Sequence, residues 1–297
     1  MLALIRDATR GPAVRAAGAQ PVRADLDQRR SLDRLARLAP YILHLAPPAA
    51  VDLDDTRTRH LLAALGAGQA RRRAHAASLT GRLRRRALSA SRIVPERRSS
   101  PDRPVLAYGS TSGVYGDCGG ALVLETRPPR PANARAVRRL AAETRLRQAG
   151  KRGGISLRII RIPGIYAAER LPLARLQRGT PALRTQDDVY TSHIHADDLA
   201  AILCRALWRG RPQRIVHAAD DTRLKMGDYF DAVARAYGLP PPPRISREQA
   251  EAALDPGLLS FMRESRQLDN TRQKRELRIR LRYPDVAGFL RDHAPLK

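Results

Sequence analysis

Cysteine is scarce in this chain, with Cys118 and Cys204 the only two in 297 residues. They lie far apart and outside any CxxC or Cys/His spacing, which excludes a disulfide framework and a thiolate zinc site, and no metal is expected. A reducing cytoplasm suits such a chain. Aromatic residues make up only 4% of the sequence, leaving few rings for stacking against nucleic-acid bases. Long hydrophobic runs are missing too. The apolar stretch LALI before Arg6 is too short for a signal-peptide core, and no later window approaches a membrane span, so the reading is a soluble protein without a membrane partner. Lysine is nearly absent: of 55 basic residues only Lys151, Lys225, Lys274 and Lys297 are lysines.

The rest of the basic residues are arginines, and against 29 acidic residues they give a net charge of +26. Such a charge raises nucleic acid as a partner. The arginines, however, are spread through an alanine- and proline-rich background, as a GC-rich coding bias would place them. One local cluster exists at 66–103, with Arg71, Arg72, Arg73, Arg84, Arg85 and Arg86. It reads either as an arm that binds polyanions or as a solvated connection or short surface helix, and its length favours the connection.

Hydrophobic runs of strand length alternate with amphipathic stretches. LALI (2–5), YILHLAPP, VLAYGS, ISLRIIRI and RIVHAA read as strands. SLDRLARL (31–38) places Leu32, Leu35 and Leu38 near one helical face, and DDTRTRHLLAAL suits a helix with Asp54 or Asp55 near its start. Further helices are expected at 133–149 and 196–208, the latter with Asp197 as N-cap. This alternation predicts an α/β fold with a mainly parallel sheet and helices on both faces. From 222 the pattern changes, and LPPPPR (239–244) leads into a helical, charged tail read as a small C-terminal lobe, 222–297, beside a main domain over 1–221.

Ligands of open parallel sheets collect beyond the carboxyl ends of the strands. Those ends are Arg6 and Asp7, Ala46 to Pro48, Ser110 to Asp117, and Pro163 to Tyr166. The third carries a cluster of hydroxyls, Ser110, Thr111 and Ser112, that can donate while accepting. YGSTSGVYGD, then RIPGIYAAERL, HIHADDLAAIL and LDNTRQKRELRIRLRYPDV together resemble the extended short-chain dehydrogenase/reductase superfamily, the NAD-dependent epimerase/dehydratase group. The resemblance implies a Rossmann domain binding NAD(P), a smaller substrate lobe and a nucleotide sugar or similar carbonyl/alcohol as substrate. It implies Thr111 as the catalytic hydroxyl, with Tyr115 or Tyr166 as a substitute acid/base and Ser112 and Tyr166 toward substrate. Leu45, Ala46, Pro47, Ser110, Pro163, Gly164 and Ile165 would line the cofactor cleft, and Asp25 would approach the adenine. Arg6, at the strand end that meets the adenosine ribose, tilts the choice toward NADP over NAD. His195, Asp197 and Asp198 match a block that anchors sheet to lobe. A homodimer through the helix at 133–149 is a family habit, against which the arginines of that helix weigh.

Two departures stand beside the match. No GxGxxG follows an opening strand, so the Rossmann unit reads as N-terminally incomplete, lacking its first strand, glycine loop and helix; GAGQA at 66–70 follows a helical pattern and lacks the third glycine. The YxxxK pair of the family is also missing, since alignment on Glu143 puts Arg135 and Arg139 in its place, and an arginine stays protonated. Three readings therefore remain open: an NAD(P)-dependent oxidoreductase, a non-catalytic nucleotide-binding protein of the same fold, and a polyanion binder.

Overall fold

The computed structural model describes residues 1–35, 38–50, 53–66 and 103–295. Apart from Gly66 and Arg103, the arginine-rich stretch and GAGQA lie outside the described residues. Strands follow as β1 (Leu2–Ile5), β2 (Gln20–Arg23), β3 (Tyr41–His44), β4 (Val105–Thr111), β5 (Leu122–Val123), β6 (Ser156–Ile162), β7 (Gly164–Tyr166), β8 (Ala182–Leu183), β9 (Tyr190–Thr191), β10 (His193–His195), β11 (Arg214–His217), β12 (Leu224–Lys225), β13 (Arg244–Ile245) and β14 (Gln267–Leu268). Helices follow as α1 (Gly11–Ala16), α2 (56–66), α3 (Ala134–Lys151), α4 (Leu173–Gln177), α5 (Ala196–Arg209), α6 (Met226–Ala236), α7 (Arg247–Ala253), α8 (Pro256–Met262), α9 (Thr271–Glu276) and α10 (Val286–His293).

The largest sheet has the order β11-β6-β4-β3, and β6 runs parallel to β11. β4 and β6 each bury every residue but the last, as strands covered on both faces must. β6 accomplishes this with two arginines in its run. Arg158 Nε donates to Gly210 O at 2.9 Å, and the Arg161 guanidinium, 1% exposed, lies 4.6 Å from the centre of the Tyr115 ring. β1 and β2 pair parallel in a separate two-stranded sheet.

The chain divides into two compact units, one of 1–42, 46–106 and 141–157, the other of 43–45, 107–140 and 158–297. In the first, Asp55 starts α2: its carboxylate accepts from Thr58 N at 3.2 Å and Thr58 Oγ1 at 2.6 Å, an N-cap that settles the choice between Asp54 and Asp55. Asp54 instead accepts from Arg145 Nη2 at 2.9 and 2.8 Å, and this bond holds its carboxyl below the usual carboxylate range. The helix expected at 31–38 is not continuous. A 3-10 turn spans Arg29–Leu32, with Leu32 fully buried beside Ala24 and Ala64 while Leu38 is 44% exposed, so the three leucines do not share one buried face.

In the second unit, α5 lays Leu199, Ile202, Leu203 and Ala206 against Ile160, Val216 and Ile194 of the strands. Burying each large aliphatic side chain contributes roughly 1.5–3 kcal/mol. The cap of α5 is His195 rather than the expected Asp197: its Nδ1 accepts from Asp197 N at 3.2 Å. Burial lowers the pKa of this imidazole, which keeps Nδ1 free to accept. Asp198 ties the helix to the C-terminal segment, accepting from Arg282 N at 2.8 Å and Tyr283 N at 2.9 Å. The tail is helical as expected, and α6 and α10 close an aromatic core of Tyr166, Tyr229, Phe230, Tyr283 and Phe289.

Candidate active site

The site starts from the end of β4. Thr111 is extended and its Oγ1 accepts from Gly113 N at 3.2 Å, starting the turn Ser112–Tyr115. That bond uses one lone pair, so the Thr111 hydroxyl keeps its hydrogen to donate and a second lone pair to accept. The turn closes at Gly116, whose φ of +66° suits glycine, and where a Cβ would lie 2.2 Å from Arg130 O. At the end of β6, Pro163 stops the ladder and β7 leaves to pair with β10.

A cavity of about 470 Å³ lies at these ends within the second unit. It brings together Leu45, Ser110, Thr111, Ser112, Pro163, Gly164 and Ile165, seven of the residues expected from sequence. Ser110 Oγ is buried on its wall without a hydrogen-bond partner, and such an orphan marks where a polar ligand atom or water would complete the site. Glycines keep the strand ends bare. A Cβ on Gly109 would approach Leu45 Cδ2 to 3.0 Å, and one on Gly164 would approach His193 Cδ2 to 3.3 Å.

Other expected residues lie elsewhere. Tyr115 is 1% exposed and belongs to the core rather than to the cavity wall. Its Oη is 2.5 Å from His217 Nε2, while His217 Nδ1 is 2.8 Å from Asp269 O. A carbonyl can only accept, so Nδ1 carries the hydrogen and Tyr115 donates to Nε2. Burial pushes the His217 pKa down to about 4, in keeping with that neutral ring. Tyr166, 1% exposed, also points into the core, with its ring 5.3 Å from those of His195 and Phe289. Arg6, Asp25, Ala46 and Pro47 belong to the first unit. There Arg6 is exposed, Asp25 N bonds Ser31 Oγ at 2.9 Å, and Pro47 O accepts from Arg57 Nη1 at 3.0 Å.

Residues not chosen from sequence complete the wall. Tyr190, Thr191 and Ser192 come from β9 and the residue after it, and Phe261, Glu264 and Arg266 from the stretch around the end of α8. Asn133 Nδ2 donates to Glu264 Oε1 at 3.0 Å, and Arg266 Nη1 donates to Glu264 Oε2 at 2.8 Å and Gly116 O at 3.0 Å. Arg135 and Arg139, one helical turn apart on α3, both reach the cavity. Arg139 Nη1 donates to Gly109 O at 2.7 Å, and the Arg135 guanidinium lies 4.5 Å from the centre of the Phe261 ring. The three arginines outnumber the single carboxylate Glu264, so the wall carries a positive surplus facing apolar Ile162, Ile165 and Leu199. The signal in sequence was the RxxxR spacing of α3; the residues around Glu264 gave none, because only the fold brings them to β4.

The family model described as the NAD dependent epimerase/dehydratase family matches residues 1–219. The solved structure of a functionally unknown conserved protein from Silicibacter pomeroyi DSS is 27% identical, with 98% of this chain and 88% of that one covered at a TM-score of 0.71. A UDP-glucose 4-epimerase from Thermotoga maritima, solved with UDP-glucose, is 15% identical over 92% of this chain and 82% of that one, TM-score 0.67. A UDP-glucuronic acid 4-epimerase from Bacillus cereus, solved with NAD, is 14% identical over 94% and 82%, TM-score 0.65. At these identities the two epimerases share the fold. No curated protein matches the chain.

Proposed function

Since the chain belongs to the NAD dependent epimerase/dehydratase family, we propose that it is an NAD(P)-dependent oxidoreductase of that type, acting on the carbonyl or alcohol of a nucleotide sugar or similar anionic ligand. The observation that carries this reading is the β4 end, where the Thr111 hydroxyl, its hydrogen not committed to the turn, and the orphaned Ser110 Oγ share one cavity wall with Arg135, Arg139 and Arg266. Thr111 would orient the reacting oxygen, Ser112 would flank it, and the arginines would receive the phosphate or carboxylate of the ligand.

The residues present fit the nicotinamide end of a dinucleotide. Leu45, Ser110, Pro163, Gly164 and Ile165 would hold it, the bare glycines admitting a flat ring. When bound, the cofactor supplies or accepts the hydride. Arg6 would favour a 2′-phosphate, and hence NADP. The sequence contains no GxGxxG to hold the pyrophosphate, so affinity is expected to rest on the nicotinamide and adenosine ends.

A second reading, a nucleotide-binding protein without turnover, is favoured by one observation. Arg135 and Arg139 both line the cavity, neither moves a proton at neutral pH, and the sequence resemblance would put them at the family's tyrosine and lysine positions. Calorimetric titration with NADPH and NADH, with polyphosphate as a charge control, tests both readings. UDP-glucose and UDP-glucuronic acid are then offered while reduced nicotinamide is followed by absorbance. Saturable binding that polyphosphate does not mimic, with hydride transfer, supports the oxidoreductase; the same binding without hydride transfer supports the second reading. Binding matched by polyphosphate overturns both.

A further inference from the structure

General acid/base catalysis draws on histidine, carboxylate, lysine, tyrosine or cysteine side chains. Among the described residues the wall of the β4 cavity offers only Glu264 and Tyr190 of these kinds. Glu264 is committed elsewhere: Asn133 Nδ2 donates to its Oε1 at 3.0 Å and Arg266 Nη1 to its Oε2 at 2.8 Å, and its side chain is 8% exposed. A carboxylate accepting on both oxygens has no proton to give, and the arginines of the wall stay protonated. The other tyrosines expected at this site are engaged, since Tyr115 donates to His217 and Tyr166 is buried in the aromatic core. That leaves Tyr190.

Tyr190 is partly exposed, and its hydroxyl makes no hydrogen bond among the described residues. Its ring is placed through the backbone. Tyr190 N donates to Ser265 Oγ at 3.0 Å, its carbonyl accepts from Arg266 N at 3.2 Å, and β9 pairs it with Lys225 of β12. Along the ring edge lies Gly120, at a φ of +78°, where a Cβ would come within 3.0 Å of Tyr190 Cδ2. The charged groups near the ring are Lys225, whose Nζ is 5.7 Å from its centre, Glu264 and Arg266 after α8, and Arg135 and Arg139 on α3. Asp117 and Asp188 are turned to backbone amides, of Ser265 and of Val189 and Gly227. Inside the cavity the arginines outnumber the carboxylate, a surplus that suits the negative oxygen a phenol leaves when it gives up its proton.

Resting on the oxidoreductase reading of this cavity, we propose that Tyr190 is its acid/base group. As hydride reaches the ligand's carbonyl carbon from reduced nicotinamide, Tyr190 Oη gives its proton to the carbonyl oxygen that Thr111 orients. The carbon-oxygen π pair becomes the new O–H bond, and the phenolate left behind is reprotonated from water. Oxidation of an alcohol runs the same transfers in reverse. Tyr190→Phe and a fluorotyrosine in place of Tyr190 test this in the full-length protein. Each is loaded with NADP or NAD, offered UDP-glucose and UDP-glucuronic acid, and followed by the absorbance of reduced nicotinamide across pH. Expected from Tyr190→Phe is unchanged melting and cofactor binding, with hydride transfer at least about 100-fold slower. Fluorotyrosine, whose phenol is more acidic, keeps much of the rate and moves one limb of the pH-rate profile to lower pH, which a merely structural ring would not do. Its fluorine resonance shifts when the UDP-sugar binds. A Tyr190→Phe rate matching the parent's, an unmoved limb or an unmoved resonance overturns the inference, while turnover by the parent keeps the oxidoreductase reading. A parent that binds without hydride transfer, or binds no better than to polyphosphate, overturns that reading and the inference with it.

Discussion

Replacing Asp220 by asparagine should stabilise the protein in a way that grows with pH. Asp220 follows β11 and is 4% exposed. Its Oδ1 accepts from Thr222 N at 2.9 Å, whereas Oδ2 has no hydrogen-bond partner. Around it stand Tyr166, whose buried hydroxyl interacts with this carboxylate though no close hydrogen bond forms, Tyr229, Asp221 and His193, whose carbonyl accepts from Asp220 N at 2.8 Å. Burial is the largest influence and pushes the carboxyl from 3.8 up to about 7, outweighing the lowering by Thr222 and by the nearby Tyr166 hydroxyl. His193, buried against the Tyr229 ring at 4.4 Å, is pushed down to about 4 and stays neutral beside it.

A carboxyl raised in the fold binds its proton more tightly folded than unfolded. Below pH 4 both states hold the proton and Asp220 contributes nothing. Between about pH 4 and pH 7 the unfolded chain releases it first, so stability is lost as pH rises, and above pH 7 the full loss is present. A shift of about three units at 1.36 kcal/mol each is about 4 kcal/mol. His193 and His217 act oppositely: depressed to about 4, they remove stability as pH falls from 6.5, so the parent's own curve mixes all three groups. The difference between Asp220→Asn and parent isolates the carboxyl. The amide still accepts from Thr222 N, and its extra hydrogens resemble the orphan hydrogen of the neutral acid. Urea unfolding followed by far-ultraviolet circular dichroism should give curves that nearly coincide at pH 4, with the variant gaining about 1.4 kcal/mol per pH unit to pH 7 and staying level above. A difference that does not change with pH would refute the argument, because Asp220 would then ionise alike in both states.

Four other substitutions follow from the geometry. Gly116→Ala drives a Cβ to 2.2 Å from Arg130 O at a φ of +66°, so a loss of about 3 kcal/mol or more is expected in chemical denaturation. Asp198→Ala strands the amides of Arg282 and Tyr283 and should lower stability by about 3 kcal/mol, visible as early exposure of the C-terminal segment in hydrogen exchange. Thr111→Val should cost only about 1 kcal/mol for the lost turn cap, while any hydride transfer falls about 100-fold, a contrast read by pairing melting curves with turnover. If the proposed site binds a nucleotide sugar, Arg135→Gln should weaken the binding of an anionic one such as UDP-glucuronic acid about tenfold in calorimetry, since a charged bond from this wall would be replaced by a neutral one.

The fold was legible where burial is continuous. VLAYGS and ISLRIIRI read as strands because both faces of β4 and β6 are covered, so no alternation was needed, and even the two arginines of β6 did not break the run. β2 was not legible: Gln20–Arg23 is four residues long, contains Pro21 and alternates weakly, and its partner is β1 across the length of α1. At 31–38 the leucine spacing suggested a helix, but only Leu32 is fully buried and no side chain caps the turn, so the local pattern had too little packing to enforce it. Asp197 was the conventional cap candidate for α5, and it lost to His195 because burial keeps that imidazole neutral and able to accept.

In the site, position was legible and side-chain direction was not. Strand ends locate a cleft in any parallel sheet, which is why Ser110 to Ser112 and Pro163 to Ile165 meet as expected. The turn after Thr111 rotates Tyr115 inward to His217, and Tyr166 at the end of β7 is buried among His195 and Phe289, so neither expected tyrosine lines the cavity, and Tyr190 of β9 does. Arg135 and Arg139, four apart on α3, reach the β4 end, where Arg139 braces Gly109 O and Arg135 offers a fixed cation; a proton shuttle needs a group that can lose its charge. The proposed reaction would therefore take its proton from another group or from the ligand, while the arginines would hold the ligand's anion in place.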